Sequence, residues 1–326
     1  MAVVPLRKRI KRSVRSALVR VVIRLLGLLP LRPALALGGL GGRAAFLLAR
    51  GTRRLALASL SQAFPERTEA ERRALARAMF VHLGWDALEL AAIRSYDARL
   101  EEYVDLTPPT LLQEVIARGK GMVFVTGHVG NWELLARRIA RAGIPNAVIA
   151  KAGGDARLNE LAERFRAGGG VATLWREDAD TGRAIIRTFR QGKALGLLID
   201  QDTKVQGVFV PFFGKLAWTP RAAADLAIRY GAPVVVGTIH RRGANPADGH
   251  RVVVREIPFA AEPPDREAEA VRLTAACSAA LEEAIRGHPA EWVWMHQRWK
   301  TRPSGEVLTG ETQAKAMPKS SDLSGG

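Results

Sequence analysis

Hydrophobic and polar residues follow two alternating periods along most of the chain. Short, almost wholly apolar runs alternate with longer segments in which apolar residues recur every three or four positions. The short runs predict buried strands, and the longer segments predict amphipathic helices. The predicted strands cover residues 122–125, 147–150, 171–174, 194–199, 233–240 and 251–257. The predicted helices cover residues 132–142, 155–167, 181–191, 219–230 and 267–286.

This order of strands and helices is typical of one fold class. Strands that alternate with helices of about 10–15 residues usually form a parallel sheet with the helices on its faces. We therefore predict an α/β fold with a mostly parallel central sheet flanked by helices. Two further helices are predicted in residues 53–94, where Thr68 and Glu71 form a capping box at the start of the second helix.

The first 50 residues differ in character from the rest. Residues 1–24 contain eight arginines and lysines and no acidic residue, with aliphatic residues interleaved at helical spacing. Residues 25–48 are apolar, but prolines, Arg32 and two glycine pairs interrupt them, whereas a membrane-spanning helix needs about 20 mainly apolar residues. We therefore predict that residues 1–50 form a basic amphipathic and apolar helical element that lies in the membrane interface. A shallow hairpin, a true span and a secretory signal are the alternatives.

Composition narrows the class of partner. The chain has 326 residues and a net charge of +17, an excess that attracts nucleic acid, anionic membranes, phosphorylated lipids or an acidic carrier protein. The single cysteine excludes an intrachain disulfide and a multi-cysteine metal site. Cys277 lies among alanines of a predicted helix, so we interpret it as a buried packing residue. We assign the folded domain to residues 51–303 and predict a disordered tail over residues 304–326.

The richest candidate chemistry follows the predicted strand at residues 122–125. A glycine-bracketed turn holds His128, and Glu133 comes five positions later. That offset is roughly 140° around a regular helix, so the two side chains meet only if His128 lies in the turn, as Gly127 and Gly130 allow. Imidazole is a general base near neutral pH, and a carboxylate on its other ring nitrogen fixes the tautomer. We therefore predict that His128 is a catalytic base and that Glu133 orients it, beside helix N–H groups that can bind an oxyanion.

A second polar group ends another predicted strand. Asp200 and Gln201 follow the run at residues 194–199, and parallel strands place their carboxyl ends at one edge of a sheet. We therefore expect both residues near His128, where they would support the base or the oxyanion. Asn131 is a further candidate, either for holding the turn or for the oxyanion site. The alternatives are a structural histidine and carboxylates that merely cap strand ends.

Two aromatic segments lie further along the chain. Residues 207–214 are unusually apolar for a loop, which suits either the wall of an apolar groove or core packing. Residues 289–300 combine three tryptophans with a basic pair. Tryptophan beside Arg and Lys suits a membrane headgroup zone or stacking on single-stranded nucleic acid. The candidates for contacts with phosphate groups or with a carrier protein are Lys151, Arg176 and Arg298.

Taken in order, four sequence blocks resemble one protein family. The blocks are Thr126-Gly127-His128-Val129-Gly130-Asn131-Trp132-Glu133, Asp200-Gln201, residues 207–214 ending in Pro-Phe-Phe-Gly, and Glu291-Trp292-Val293-Trp294 followed by Arg298-Trp299-Lys300. Their order and spacing are similar to those of the bacterial lipid A biosynthesis acyltransferases, the late lauroyl and myristoyl transferases, which are related to phosphatidylinositol mannoside acyltransferases. The resemblance extends from about Arg53 to about Pro303.

The resemblance implies an O-acyltransferase that moves a fatty acyl chain from an acyl-carrier-protein thioester to a hydroxyl of a lipid A precursor, a phosphorylated glycolipid. His128 would take the proton from that hydroxyl with Glu133 orienting it, and the alkoxide would attack the thioester directly. Such chemistry needs no metal, and no cofactor besides the acyl donor. The resemblance also implies a location at the cytoplasmic face of the inner membrane, contact with anionic lipids, and no nucleic-acid partner.

One departure from the family pattern leaves the acceptor open. After the strand at residues 147–150 the family commonly has an aromatic-basic-proline pattern, of which this chain keeps only Lys151. A lysine meets a phosphate as a point charge, without the bidentate fork of arginine. Another membrane glycolipid, phospholipid or aminolipid is the alternative acceptor. The alternative from another class is a non-catalytic basic protein that binds lipid or nucleic acid, which would need neither the His128–Glu133 pair nor the Asp200-Gln201 block.

Overall fold

The computed structural model of the protein describes residues 25–303. The basic helix predicted in residues 1–24 and the tail predicted over residues 304–326 lie outside this range. The described helices are α1 (Leu31–Leu48), α2 (Arg50–Ala63), α3 (Glu69–Ala91), α4 (Leu100–Tyr103), α5 (Leu111–Ile116), α6 (Trp132–Arg141), α7 (Ala156–Ala167), α8 (Thr181–Arg190), α9 (Ala222–Tyr230) and α10 (Arg266–Gly287). The described strands are β1 (Val104–Thr107), β2 (Met122–Thr126), β3 (Asn146–Ala150), β4 (Val171–Trp175), β5 (Ala194–Leu198), β6 (Gly207–Phe212), β7 (Lys215–Pro220), β8 (Val234–Arg241) and β9 (His250–Ile257).

A seven-stranded sheet in the order β1-β9-β8-β2-β5-β3-β4 forms the centre of the described chain. Its neighbouring strands are parallel except β8 and β9, which are antiparallel because a short connection joins them directly. Helices cover both faces: Val123 and Val125 of β2 pack with α9 and α10, whereas Met122 and Phe124 pack with α5 and α6. Cys277 lies in the first of these clusters, buried as predicted. The predicted fold class is therefore confirmed.

The two helices predicted in residues 53–94 are α2 and α3. The predicted capping box is present at the start of α3, where the Thr68 hydroxyl accepts a hydrogen bond from the Glu71 N–H and the Glu71 carboxylate accepts one from the Thr68 N–H. This reciprocal pair satisfies two backbone donors that the first turn of a helix leaves free.

α1 continues without a break through the two glycine pairs that interrupt the apolar composition of residues 25–48. Its Gly38 and Gly42 face α3, and a Cβ added at Gly38 would lie 2.4 Å from the backbone oxygen of Gly84. Glycine is needed at this contact because the two helix backbones touch. Residues 31–48 are therefore helical, as predicted for the N-terminal element, and their glycines serve the contact with α3. None of the helices within residues 25–303 combines the length and the apolar composition that crossing a membrane requires.

Residues 207–220 also differ from the prediction. Instead of a loop followed directly by a long helix, they form an antiparallel hairpin of β6 and β7, and α9 begins only at Ala222. The turn of the hairpin has left-handed backbone at Phe213 (φ 52°) and Gly214 (φ 71°). Phe212 and Phe213 are buried in the core. Core packing, one of the two interpretations of this apolar segment, is therefore confirmed for these rings.

The three C-terminal tryptophans are core residues as well. Trp292, Trp294 and Trp299 are at most 4% exposed and pack in one cluster with Phe212 and Phe213. Rings buried in this way can neither reach lipid headgroups nor stack on nucleic-acid bases. Both interpretations of this segment from its composition are therefore wrong.

Candidate active site

The strand, turn and helix predicted around His128 are present. β2 ends at Thr126, and α6 starts four residues after His128. Asn131 caps α6, because its side-chain oxygen accepts a hydrogen bond of 3.3 Å from the Leu134 N–H. Gly130 has a φ of 55°, and a Cβ there would lie 2.2 Å from the Ile239 carbonyl oxygen, so only glycine fits this turn.

Asp200 holds the His128 imidazole. In β2 and β5, Thr126 lies opposite Leu198, so the residues that follow the two strands meet at one edge of the sheet. One oxygen of Asp200 lies 2.9 Å from His128 Nδ1, and the other accepts hydrogen bonds from the His128 N–H (2.6 Å) and from Trp292 Nε1 (2.8 Å). Burial by itself raises the pKa of Asp200, but His128 and these hydrogen bonds outweigh burial and hold the pKa well below its usual value.

This contact sets the tautomer of the imidazole. The ionised Asp200 carboxylate accepts a hydrogen bond from Nδ1–H, so the basic lone pair of the neutral ring lies on Nε2. Gln201 packs against the same ring, with its amide nitrogen 3.0 Å from both ring nitrogens of His128 and 2.6 Å from Nε2 of His296. Cε1 of the imidazole lies between the two ring nitrogens. If the Gln201 nitrogen lay in the plane of the ring, 3.0 Å from each of them, it would overlap Cε1. The amide therefore lies over the ring face and leaves the in-plane lone pair of Nε2 available.

Glu133 has a different partner from the one predicted. Its carboxylate accepts two hydrogen bonds from the guanidinium of Arg166, at 2.9 Å from Nε and 2.5 Å from Nη2. The predicted contact between Glu133 and His128 is therefore wrong, because the end of β5 brings Asp200 to the ring while the first turn of α6 directs Glu133 to α7. A catalytic role of Glu133 stays a prediction, since it lines the same cavity as His128.

A cavity of about 640 Å³ opens beside His128 and Glu133. The cationic candidates Lys151 and Arg176 line it, as does Arg166, whose Nη1 atom is buried and has no hydrogen-bond partner in the described part of the chain. Most of the remaining wall is apolar and includes Phe124, Ile139, Val148, Ile149, Ile185 and Leu197. The cavity thus combines a histidine, cationic side chains and a mostly apolar wall.

Two of the candidate residues, Arg298 and Asn131, are buried and form hydrogen bonds within the protein instead of facing the cavity. Arg298 is 1% exposed, and its guanidinium donates hydrogen bonds to the Trp218 carbonyl oxygen and the Thr219 hydroxyl, so the expected phosphate or carrier contact is wrong. The side chain of Asn131 is 2% exposed, caps α6 and donates to the Glu89 carboxylate. It therefore holds the turn, which is the first of its two predicted roles, and its amide is not free to bind an oxyanion.

Arg166, Trp292 and His296 reach the site without having been predicted there. Arg166 lies near the end of α7, where an arginine is indistinguishable in sequence from the other basic residues of that helix. Trp292 and His296 belong to the tryptophan-rich segment, whose spacing carries no sign that it returns to the His128 turn. The backbone contacts that bring it there are a bridge between Val129 and Trp292 and a hydrogen bond from the Val293 N–H to the His128 carbonyl oxygen.

Comparison with known proteins identifies the family. The family model for bacterial lipid A biosynthesis acyltransferases matches residues 7–301. The chain is 24% identical over 249 residues to the lipid A biosynthesis lauroyltransferase of Escherichia coli (strain K12), a match that covers 76% of this chain and 78% of the relative. It is 28% identical over 271 residues to the lipid A biosynthesis myristoyltransferase of the same strain, covering 82% of this chain and 80% of the relative. These matches confirm the resemblance of the four sequence blocks. The chain belongs to the bacterial lipid A biosynthesis acyltransferase family and is an acyltransferase.

Proposed function

We propose that the protein transfers a fatty acyl chain from the thioester of an acyl carrier protein to a hydroxyl of a lipid A precursor, with His128 as the general base. Membership of the family supports acyl transfer to lipid A. The observation that carries the proposal is the His128 imidazole, which Asp200 holds at the wall of a largely apolar cavity with cationic side chains. The substrates match that wall, because they combine a hydroxyl, a hydrocarbon chain and phosphate groups.

The reaction proceeds by direct attack of the acceptor hydroxyl. Nε2 of His128 takes the hydroxyl proton as the oxygen forms a bond to the thioester carbonyl carbon. The resulting oxyanion collapses, the C–S bond breaks, and the imidazolium returns the proton to the leaving thiolate. Asp200 stabilises the imidazolium between these two proton transfers, and the N–H groups in the first turn of α6 are suited to the oxyanion. The proposed reaction needs no metal and no cofactor besides the acyl donor.

Glu133 acts in this proposal through Arg166. The bidentate contact fixes the guanidinium plane at the cavity wall, where its positive charge attracts the anionic groups of the substrate. Lys151 and Arg176 line the same cavity and add two further cations for the phosphate groups of the acceptor. The net charge of +17 favours an acidic carrier protein as the donor's partner, because opposite net charges speed encounter.

We also propose that the protein docks on the cytoplasmic face of the inner membrane through α1. One face of α1 packs on α3, but the opposite face is an exposed apolar stripe flanked by arginines. Four leucines of the stripe recur at helical spacing, with Leu40 60% and Leu48 80% exposed. They are Leu37, Leu40, Leu47 and Leu48. An exposed apolar helix face with basic flanks is suited to the interface of an anionic bilayer.

The function is tested by acyl transfer with purified full-length protein in mixed micelles. Donors are an acyl-carrier-protein thioester and the coenzyme A thioester of the same fatty acid, and acceptors are lipid A precursors and phospholipids. We expect an acylated lipid A precursor, detected by mass spectrometry, with the carrier-protein thioester preferred. Transfer to a phospholipid alone would contradict the acceptor, and equal use of both donors would contradict the carrier protein.

Membrane docking is tested by flotation of the full chain with vesicles of anionic and of neutral lipid. The double substitution Leu40→Ser with Leu47→Ser should lower the vesicle-bound fraction several-fold, since it removes apolar area from the proposed contact. Leu216→Ser, at a leucine of β7 that is 41% exposed, is the matched control and should leave binding unchanged. Equal binding of the double variant and the wild type would mean that another surface docks.

A further inference from the structure

A fully buried carboxylate lies behind the His128 turn and outside the cavity. Glu89 of α3 is 0% exposed. Its carboxylate accepts hydrogen bonds from the Tyr103 hydroxyl (2.5 Å), His250 Nε2 (2.9 Å), Asn131 Nδ2 (2.9 Å) and Arg241 Nη1 (3.3 Å). Arg241 also pairs with Asp86 of the same helix at 2.7 Å. Glu89 is thus the common acceptor of a buried polar cluster.

The cluster keeps Glu89 ionised. Burial by itself raises its pKa, but the charges of His250 and Arg241 and the hydrogen bonds from His250 and Tyr103 outweigh burial and lower the pKa to about 2. Buried ion clusters of this kind are weak evidence for stability, because well-packed apolar side chains often stabilise a fold as much or more. What this cluster does provide is a common anchor, because the Glu89 carboxylate accepts from donors in four separate segments of the chain.

One of the four donors belongs to the catalytic turn. Asn131 joins the His128 turn to α6, with its side-chain oxygen on the Leu134 N–H and its amide on Glu89. The next residue, Trp132, packs edge-to-face on the His128 ring, with the ring centroids 4.9 Å apart. A shift of Asn131 therefore moves both the backbone of the turn and a ring that touches the base.

We propose that Glu89 is a positioning residue, which holds Asn131 and thereby fixes the His128 imidazole relative to Asp200 and the cavity. The inference rests on the proposed function, in which His128 is the base. Glu89 touches no substrate in this account and acts only through Asn131. A displacement of about 1 Å in a reacting group costs about 100-fold in rate, so a single hydrogen bond behind the turn is sufficient to matter.

The first variant is Glu89→Gln, which keeps the size of the side chain. The amide has one oxygen where the carboxylate has two. His250 and Arg241 contact both carboxylate oxygens, whereas Tyr103 contacts only Oε1 (2.5 Å) and Asn131 only Oε2 (2.9 Å). An amide oxygen that keeps the shorter contact, with Tyr103, leaves the NH₂ group facing the Asn131 amide, donor against donor. We expect kcat to fall about 100-fold while KM for both substrates changes little. The paired exchange Glu89→Gln with Asn131→Asp reverses the hydrogen bond, because the introduced amide donates to the introduced carboxylate. Aspartate also caps helices, so this pair should recover most of the lost kcat.

Tyr103→Phe is the matched control. It removes another hydrogen bond to the same carboxylate, but Tyr103 has no contact with the turn. It should lower the melting temperature while leaving kcat unchanged. A merely structural role of Glu89 would instead give equal kcat losses in Tyr103→Phe and Glu89→Gln for equal losses of stability, with no recovery in the exchanged pair.

The outcomes separate this inference from the function on which it rests. Activity that survives His128→Ala overturns the proposed function. Activity that is lost in His128→Ala but fully kept in folded Glu89→Gln overturns the positioning role alone. If Glu89→Gln does not fold, Asn131→Ser tests the same hydrogen bond from the turn, because serine keeps the helix cap and removes the amide donor. A kcat reduced about 100-fold in that variant supports the inference, and a wild-type kcat overturns it.

Discussion

Replacing Asp200 with asparagine removes one negative charge while preserving the shape of the side chain. One carboxylate oxygen accepts two hydrogen bonds, from the His128 N–H and Trp292 Nε1, and the other accepts one from His128 Nδ1. An asparagine keeps two of these three hydrogen bonds if its oxygen takes the place of the oxygen that accepts from the His128 N–H and Trp292 Nε1. Its NH₂ group then faces Nδ1, which must accept, so the ring proton moves to Nε2.

The size of the effect follows from that change of tautomer. With a proton on Nε2, the ring has no lone pair for the acceptor hydroxyl, and general-base help worth roughly 10²–10⁴ in rate is lost. The loss of the carboxylate also removes the charge that stabilises the imidazolium. We therefore expect kcat for Asp200→Asn to fall by roughly 10²–10⁴. Substrate KM values should change little, because Asp200 is fully buried and not part of the cavity wall.

The assay is steady-state acyl transfer from a carrier-protein thioester to a lipid A precursor, with melting temperatures measured in parallel. Asp202→Asn is the matched control, since Asp202 lies two residues further on and accepts from the backbone N–H and hydroxyl of Thr301 and not from His128. Its kcat should equal that of the wild type. A kcat within a few-fold of wild type in folded Asp200→Asn would refute the tautomer argument.

Three further predictions concern the cavity, the helix packing and pH. Lys151→Ala should raise KM for the phosphorylated acceptor with little change in kcat. Lys193→Ala, at the opposite edge of the sheet, should leave that KM unchanged. Equal increases of KM in the two variants would exclude a local phosphate contact of Lys151. Gly38→Val should lower the free energy of unfolding by about 1–3 kcal/mol in thermal melts because its Cβ meets the α3 backbone, and Gly41→Val, with open space around it, should be far milder. Burial raises the pKa of Glu291 to about 8. The folded protein therefore holds this proton more tightly than the unfolded chain, in which the pKa is about 4.3. The resulting contribution to stability is complete below a pH of about 4.3 and is lost as the pH rises through about 8. Melting temperatures of Glu291→Gln should therefore fall less between pH 5 and pH 8 than those of the wild type, and parallel curves would contradict the raised pKa.

The central strands were predictable because both of their faces are buried. β2 was expected at residues 122–125 and spans Met122–Thr126, and β5 was expected at residues 194–199 and spans Ala194–Leu198. Strands covered on both faces consist of continuous apolar residues, which a sequence displays directly. Their parallel order then predicts that His128 and Asp200 meet, as they do.

The hairpin of β6 and β7 was not predicted, and the packing role of the α1 glycines was missed, for local reasons. The turn of the hairpin is Phe213-Gly214, without the Asn-Gly or Asp-Gly pair that usually signals such a turn, so Gly214 alone marked it in the sequence. The glycines of α1 stand out in the sequence only as interruptions of an apolar stretch, but Gly38 serves close contact with α3. The low helix propensity of glycine is a weak guide where close packing of two helices requires a glycine.

The choice between two carboxylates at the base depended on tertiary structure. Glu133 is close to His128 in sequence, and Asp200 is 72 residues away from it. The β2–β5 register brings Asp200 to the ring, and the partner of Glu133 is supplied by Arg166, 33 residues further along the chain. Sequence spacing predicts which side chains are neighbours within one helix or strand. It does not predict that Arg166 of α7 pairs with Glu133 and that Asp200 contacts His128 instead.

The most direct test of the central claim is the activity of His128→Ala in the acyl-transfer assay, with and without added imidazole. The variant should melt at nearly the wild-type temperature and transfer no measurable acyl chain. Imidazole should restore part of the rate, because a cavity of about 640 Å³ adjoins the missing ring and admits a free base. Acyl transfer by His128→Ala at a rate within a few-fold of wild type, without imidazole, would contradict the claim that this histidine is the base.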